Sequence, residues 1–168
     1  MSLPAWNARA PEEANHFNPA YCGALIYEFV RAFEKEAPTS PDYALIFCAL
    51  PVAMHAPTRD SLPRTTLTGL LPWLERTPAA RIGFAARARG LAPYLREAIQ
   101  FALARNALVV DEAGRVALGS KRASFTPKAL DDMTTDIRNT VTATRMVGRW
   151  FAASGDTSTI LAAWGVRV

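Results

Sequence analysis

Two cysteines, two histidines and three lysines are all that this chain of 168 residues offers of those side chains. No apolar run approaches the roughly 20 residues that a bilayer span needs. The N-terminus, Met1 to Pro11, lacks the basic start and long apolar stretch of a signal peptide, so the expectation is a cytoplasmic protein with no membrane partner. Cys22 and Cys48 sit in apolar helical context, where a free thiol behaves as a small hydrophobe, and no disulfide framework is expected. His16 with Cys22 and Cys48 with His55 have gaps of five and six residues, unlike the short paired-ligand spacings of zinc sites. No metal or other cofactor is expected. Neither cysteine lies in an electropositive or strained turn, and Asp60-Ser61 near His55 lacks a nucleophile elbow. With no phosphate-cradling glycine loop and no carboxylate pair distinct from surface charge, the chain does not read as an enzyme.

What is present is apolar mass and unevenly placed charge. Half of the residues are apolar, enough for one compact domain over 1–168 with a real core. The net charge of +4 hides an asymmetry: residues 1–56 carry three basic groups against six acidic ones, residues 57–128 twelve against five, and the remainder four of each. Positive charge therefore gathers on the middle of the chain, as expected if that part meets a polyanion or an acidic partner surface. Sixteen of the nineteen basic residues are Arg, which fits phosphate recognition and fits a genome-wide codon bias equally well.

The punctuation predicts a mainly α fold with a small β-hairpin: a winged helix-turn-helix core over 65–124, an N-terminal helical part over 1–64 and C-terminal helices over 125–168. Asn18-Pro19 opens a core helix ending at Glu34-Lys35-Glu36, and Ser40-Pro41 starts a shorter one, apolar on nearly all sides and stopped or kinked at Pro51. Thr65 to Arg76 reads as the first helix of the core, with Leu67, Leu70, Leu71 and Leu74 on one face and a kink at Pro72. Thr77-Pro78 begins the next, which stops at Gly90; a further helix runs from Pro93 to near Asn106. Leu108-Val109-Val110 and Arg115-Val116-Ala117-Leu118 then flank Asp111-Glu112-Ala113-Gly114 as the wing. Thr126-Pro127 caps a long helix reaching about Ala153, whose apolar period suits either one helix packed on its own domain or a coiled-coil seam. Asp156 caps a last short helix closed by Gly165.

A helix that reads the major groove must offer base-edge donors and acceptors on its exposed side. The helix from Pro93 places Tyr94, Glu97, Phe101, Ala104 and Arg105 opposite its apolar stripe, with Arg96 and Gln100 to one side. Glu97 would repel phosphates, and Phe101 suits the apolar centre of a protein interface. Tyr94, Glu97, Phe101 and Arg105 are therefore the candidate protein contacts. Arg81, Arg87, Arg89, Arg96, Arg115, Lys121 and Arg122 are the candidates for nonspecific phosphate contact.

Several strings carry a resemblance: Glu12-Glu13-Ala14-Asn15-His16-Phe17-Asn18-Pro19-Ala20, Leu50-Pro51, His55-Ala56-Pro57-Thr58-Arg59-Asp60-Ser61-Leu62-Pro63, Ile82-Gly83-Phe84-Ala85, Gly148-Arg149-Trp150-Phe151-Ala152 and Trp164-Gly165-Val166-Arg167. Over nearly its whole length the chain resembles the small middle-component family of bacterial three-component ABC systems. The resemblance implies a non-enzymatic adaptor between an SMC-like ABC ATPase and a separate effector, in systems set against phage or plasmids, with DNA reached through the complex. It brings no catalytic residues. The alternative is a winged-helix transcriptional regulator that binds DNA by itself.

Overall fold

The computed structural model describes residues 3–166; Met1, Ser2, Arg167 and Val168 lie outside them. Helices α1 (Pro11–His16), α2 (Pro19–Glu36), α3 (Tyr43–Met54), α4 (Ala56–Asp60), α5 (Leu70–Arg76) and α6 (Phe84–Ala104) precede a hairpin of β1 (Leu108–Val110) and β2 (Val116–Leu118). After it come α7 (Pro127–Asp131), α8 (Thr135–Ala152) and α9 (Thr157–Ala163). Mainly helical structure with one small antiparallel sheet is thus what the sequence led us to expect.

The core lies where α6 and α8 each pack on the pair formed by α2 and α3. Asn18 begins α2 by accepting hydrogen bonds from the Ala20 and Tyr21 amides, at 2.8 and 3.4 Å. Gly148 lets α8 approach closely: a β-carbon there would come within 2.6 Å of the Phe29 carbonyl oxygen and 2.9 Å of the Ala32 β-carbon. Trp150, Phe151 and Trp164 are core side chains, all buried. Trp150 stands edge-on to Trp73 at 5.2 Å and donates its indole N–H to the Thr68 carbonyl at 2.7 Å.

Five sequence-based boundaries need correction. The helix ending at Gly90 and the helix from Pro93 are one continuous helix, α6. An interior Pro costs a helix about 3 kcal/mol and a Gly about 1. Against that, α6 buries Leu91, Leu95 and Ile99, each worth about 1.5–3 kcal/mol, so packing outweighs both breakers. The start also moves: Thr77 makes no side-chain cap, Pro78–Arg81 forms a 3-10 turn, and Gly83 at φ 68° precedes the first residue of α6. The helix-turn-helix assigned to 78–106 is therefore not formed from those pieces.

Of the two outcomes expected at Pro51, a stop does not occur: α3 is buried from Cys48 to Ala53 and continues to Met54. The helix predicted from Thr65 begins only at Leu70, and Leu67 is 93% exposed. Pro72 explains this. Its ring clashes with a helical carbonyl four residues back, so it fits only in the first turn, where its missing N–H is not needed. The long helix predicted from Pro127 to Ala153 is two helices: Thr134 accepts from the Ile137 amide and starts α8 afresh. Arg138 donates to the Met133 carbonyl at 2.7 Å, satisfying backbone freed by the break.

The hairpin is antiparallel, with Leu108 opposite Leu118 and Val110 opposite Val116. Gly114 takes φ 77° in its turn, and Asp111 Oδ1 accepts from the Ala113 and Arg115 amides, both at 2.9 Å. A single bridge pairs Asp42 with Arg115, and the Val116 amide donates to the Pro41 carbonyl at 2.9 Å.

Candidate functional site

The exposed side of α6 overlaps the one expected from the sequence only at its end, at Ala104 and Arg105. Leu91, assigned to a turn, belongs to the buried stripe and rotates its centre, so Arg89, Arg96, Gln100 and Ala104 face outward. Tyr94 and Glu97 lie under the chain's own N-terminal segment. Arg9, itself buried, grips Glu97 through two hydrogen bonds of 2.7 Å. The Tyr94 hydroxyl donates to Glu13 Oε1 at 2.6 Å, and its ring stacks near Phe17, centroids 4.4 Å apart. Glu97 is thus neutralised within the chain.

Phe101 and Arg105 lie beyond that cover, at the C-terminal end of α6. Here the first turns of α2, the end of α6, the connector after β2 and α7 enclose an open groove of about 510 Å³. Its floor is small and apolar, including Gly23, Ala24 and Ala102, and the Phe101 ring forms part of one wall. Arg105 lies over that ring, 4.6 Å from the centroid. Lys121 and Arg122 complete the rim, and no acidic side chain lines the groove. Sequence reasoning had placed these residues in two separate groups; the fold brings Phe101, Arg105, Lys121 and Arg122 together.

The connector carrying Lys121 and Arg122 is tied at both ends. The Gly119 amide donates to the Ala107 carbonyl at 2.8 Å and the Lys121 amide to the Asn106 carbonyl at 2.9 Å. Gly119 sits so close to Asn106 that a β-carbon would collide with that carbonyl. At the other end the Phe125 amide donates to Glu28 Oε1 at 2.9 Å. Glu28 is fully buried and also accepts from Arg145, through Nε and Nη2 at 2.9 Å each, and from Arg31 at 2.5 Å. Burial alone would push this carboxyl up; the hydrogen bonds and charges of Arg145 and Arg31 outweigh it and hold the group below its ordinary value. Sequence reasoning missed this node. The available signal was one acid inside the apolar run Leu25 to Phe33, since a buried carboxylate must find partners.

The remaining phosphate candidates divide by what they touch. Arg81, Arg89 and Arg96 are exposed, the last 5.8 Å from the centroid of Phe47. Arg87 is half-buried and donates to the Ile82 and Ala80 carbonyls at 2.7 and 3.1 Å, while Arg115 pairs with Asp111 at 2.8 Å. Those two hold local structure.

The string around His55 ties several elements together. His55 Nδ1 meets the Thr58 hydroxyl at 2.8 Å, and the buried Arg59 donates to Thr140 at 2.6 Å and Asp136 at 2.5 Å, tying α4 to α8. Trp73 donates to the Ser61 carbonyl at 3.0 Å. Both cysteines are buried, and burial pushes both thiols up, Cys22 to about 12, so neither supplies a thiolate at neutral pH. Among the described residues no three His, Cys, Asp or Glu side chains gather to hold a metal ion. No described helix is long and apolar enough to cross a membrane.

No curated protein and no solved structure matches the chain. One protein family does, and its description reads ABC-three component (ABC-3C) system Middle Component 3; the match spans residues 6–168. A middle component works among partner subunits, and the resemblance carried by the sequence strings agrees with this result. The chain belongs to the family of ABC-3C middle components.

Proposed function

We propose that the protein is a non-enzymatic adaptor linking an SMC-like ABC ATPase to an effector in a bacterial complex directed at phage or plasmids. The observation that carries this reading is the groove at the end of α6. An apolar floor under an Arg and Lys rim has the composition of a protein-interface centre, and its cations have no carboxylate partner within the described chain. Co-purification with the products of the adjacent genes, with and without nuclease, tests it. The expected result is a nuclease-resistant complex with both; an isolated chain overturns the adaptor role.

A second reading, direct DNA contact through a winged helix, draws on a different observation. The order α2, the bridge at Asp42, α3, α6 and the hairpin follows the winged-helix order of helix, strand, helix, helix and wing, with α4 and α5 inserted. In that assignment α6 is the reading helix, and its exposed side offers Arg89, Arg96 and Gln100, groups able to meet phosphates and base edges. Binding of the purified protein to duplex DNA at several salt concentrations tests this. Arg89→Glu with Arg96→Glu should abolish binding and flatten its salt dependence; tight binding unaffected by both changes would overturn it.

A further inference from the structure

We infer that the groove at the end of α6 receives an acidic segment of a partner subunit, carrying an aromatic or long aliphatic side chain as its anchor. The inference rests on the adaptor reading and specifies its chemistry. Complementarity of charge decides the sign: Arg105, Lys121 and Arg122 rim the groove, no carboxylate lines it, and the nearby Glu28 is fully engaged by Arg145, Arg31 and the Phe125 amide. Complementarity of shape decides the anchor. Gly23 lets α2 approach α6 closely, the Ala98 carbonyl lying 3.3 Å from where its β-carbon would be, and the small side chains of Ala24 and Ala102 leave a groove of about 510 Å³, within the roughly 300–1,000 Å³ of typical binding pockets. The rim is set before binding, because Gly119, Lys121 and Phe125 hold the connector by backbone hydrogen bonds, so little ordering entropy is lost on docking. A nucleic acid strand fits less well. Stacking needs free aromatic faces, and Phe101 lies under Arg105 while Phe125 packs near Tyr21, centroids 6.2 Å apart.

Fluorescence anisotropy on the full chain tests this with a labelled amphipathic peptide bearing Phe and Leu on one face and Glu on its flanks. Its controls carry Lys for Glu or Ala for Phe and Leu, and an oligo-dT strand serves as competitor. The acidic peptide should bind at least about tenfold more tightly than either control, a difference of about 1.4 kcal/mol. Lys121→Glu with Arg122→Glu, both on the surface, should remove that preference, and Ala24→Trp should block the groove. Equal binding of the Lys peptide, displacement by oligo-dT, or indifference to all three substitutions overturns the inference. So does a self-associating chain that Ala24→Trp converts to monomer, since a second copy would then fill the groove. Co-purification separates the two readings. If the wild-type chain and the Lys121→Glu, Arg122→Glu chain capture the partners equally, the groove assignment falls and the adaptor stands. If the wild-type chain captures none, the adaptor falls and the peptide measurement alone decides the groove.

Discussion

Arg9 and Glu97 stand 88 positions apart in sequence and face each other through paired hydrogen bonds of 2.7 Å, fastening the start of the chain across the middle of α6. Glu97→Gln should keep the fold and loosen the fastening. Amide exchange over residues 6–17 should become faster while the melting temperature stays nearly constant. Unchanged exchange there would mean that Tyr94 and Phe17 hold the segment without the ion pair.

Gly90 provides a direct test of the continuous helix. No atom lies within 4 Å of where its β-carbon would be, and it sits in the exposed interior of α6. Gly90→Ala should therefore stabilise the protein by about 0.5–1 kcal/mol, raising the melting temperature by a few degrees. A glycine at positive φ in a turn between two helices would give the opposite sign in the same thermal melt.

Glu28→Gln removes the charge that Arg145 and Arg31 share. Because both arginines keep partial access to water, the loss should be about 2–3 kcal/mol, less than the 3–5 of a fully buried pair. Acid should act through the same group. Its folded value lies below the 4.5 of an unperturbed glutamate, so the unfolded chain takes up the proton first as pH falls. The stability that Glu28 contributes is complete above the unfolded value and disappears as pH drops through the folded one. Urea midpoints measured from neutral pH down to about 3 should fall less steeply in Glu28→Gln than in the wild type.

Gly148→Ala should destabilise by about 1–3 kcal/mol, measured by urea unfolding. The obstacle is backbone, the Phe29 carbonyl, so no rotamer change relieves it and α8 must move away from α2.

What could be read in advance was local. Asn18, Thr126 and Asp156 each accept an amide hydrogen bond at the start of their helices, and the Asp111 to Gly114 turn closes the hairpin. These signals depend on a few adjacent residues, so sequence alone displays them. Gly90 and Pro93 misled because their cost is local while the burial that overrides it comes from distant helices. The groove escaped for a related reason: Phe101, Arg105 and Lys121 meet only because the Asn106 and Ala107 carbonyls fold the connector back. Arg59, prominent within its string, holds Thr140 and Asp136 across about eighty positions, a partnership that no spacing rule reveals.

The contact between α2 and α8 also sets a timetable for synthesis. Among the described residues the first long helix, α2, packs against the last, α8, and the Glu28–Arg145 bond joins residues 117 positions apart. Until α8 emerges, α3 has only part of its cover, from α2, α4 and α6, over a Leu45 to Ala53 surface that is apolar on almost every side. The nascent chain therefore carries a partly uncovered apolar face until α8 has been made, and the α2–α3 layer completes its packing only then.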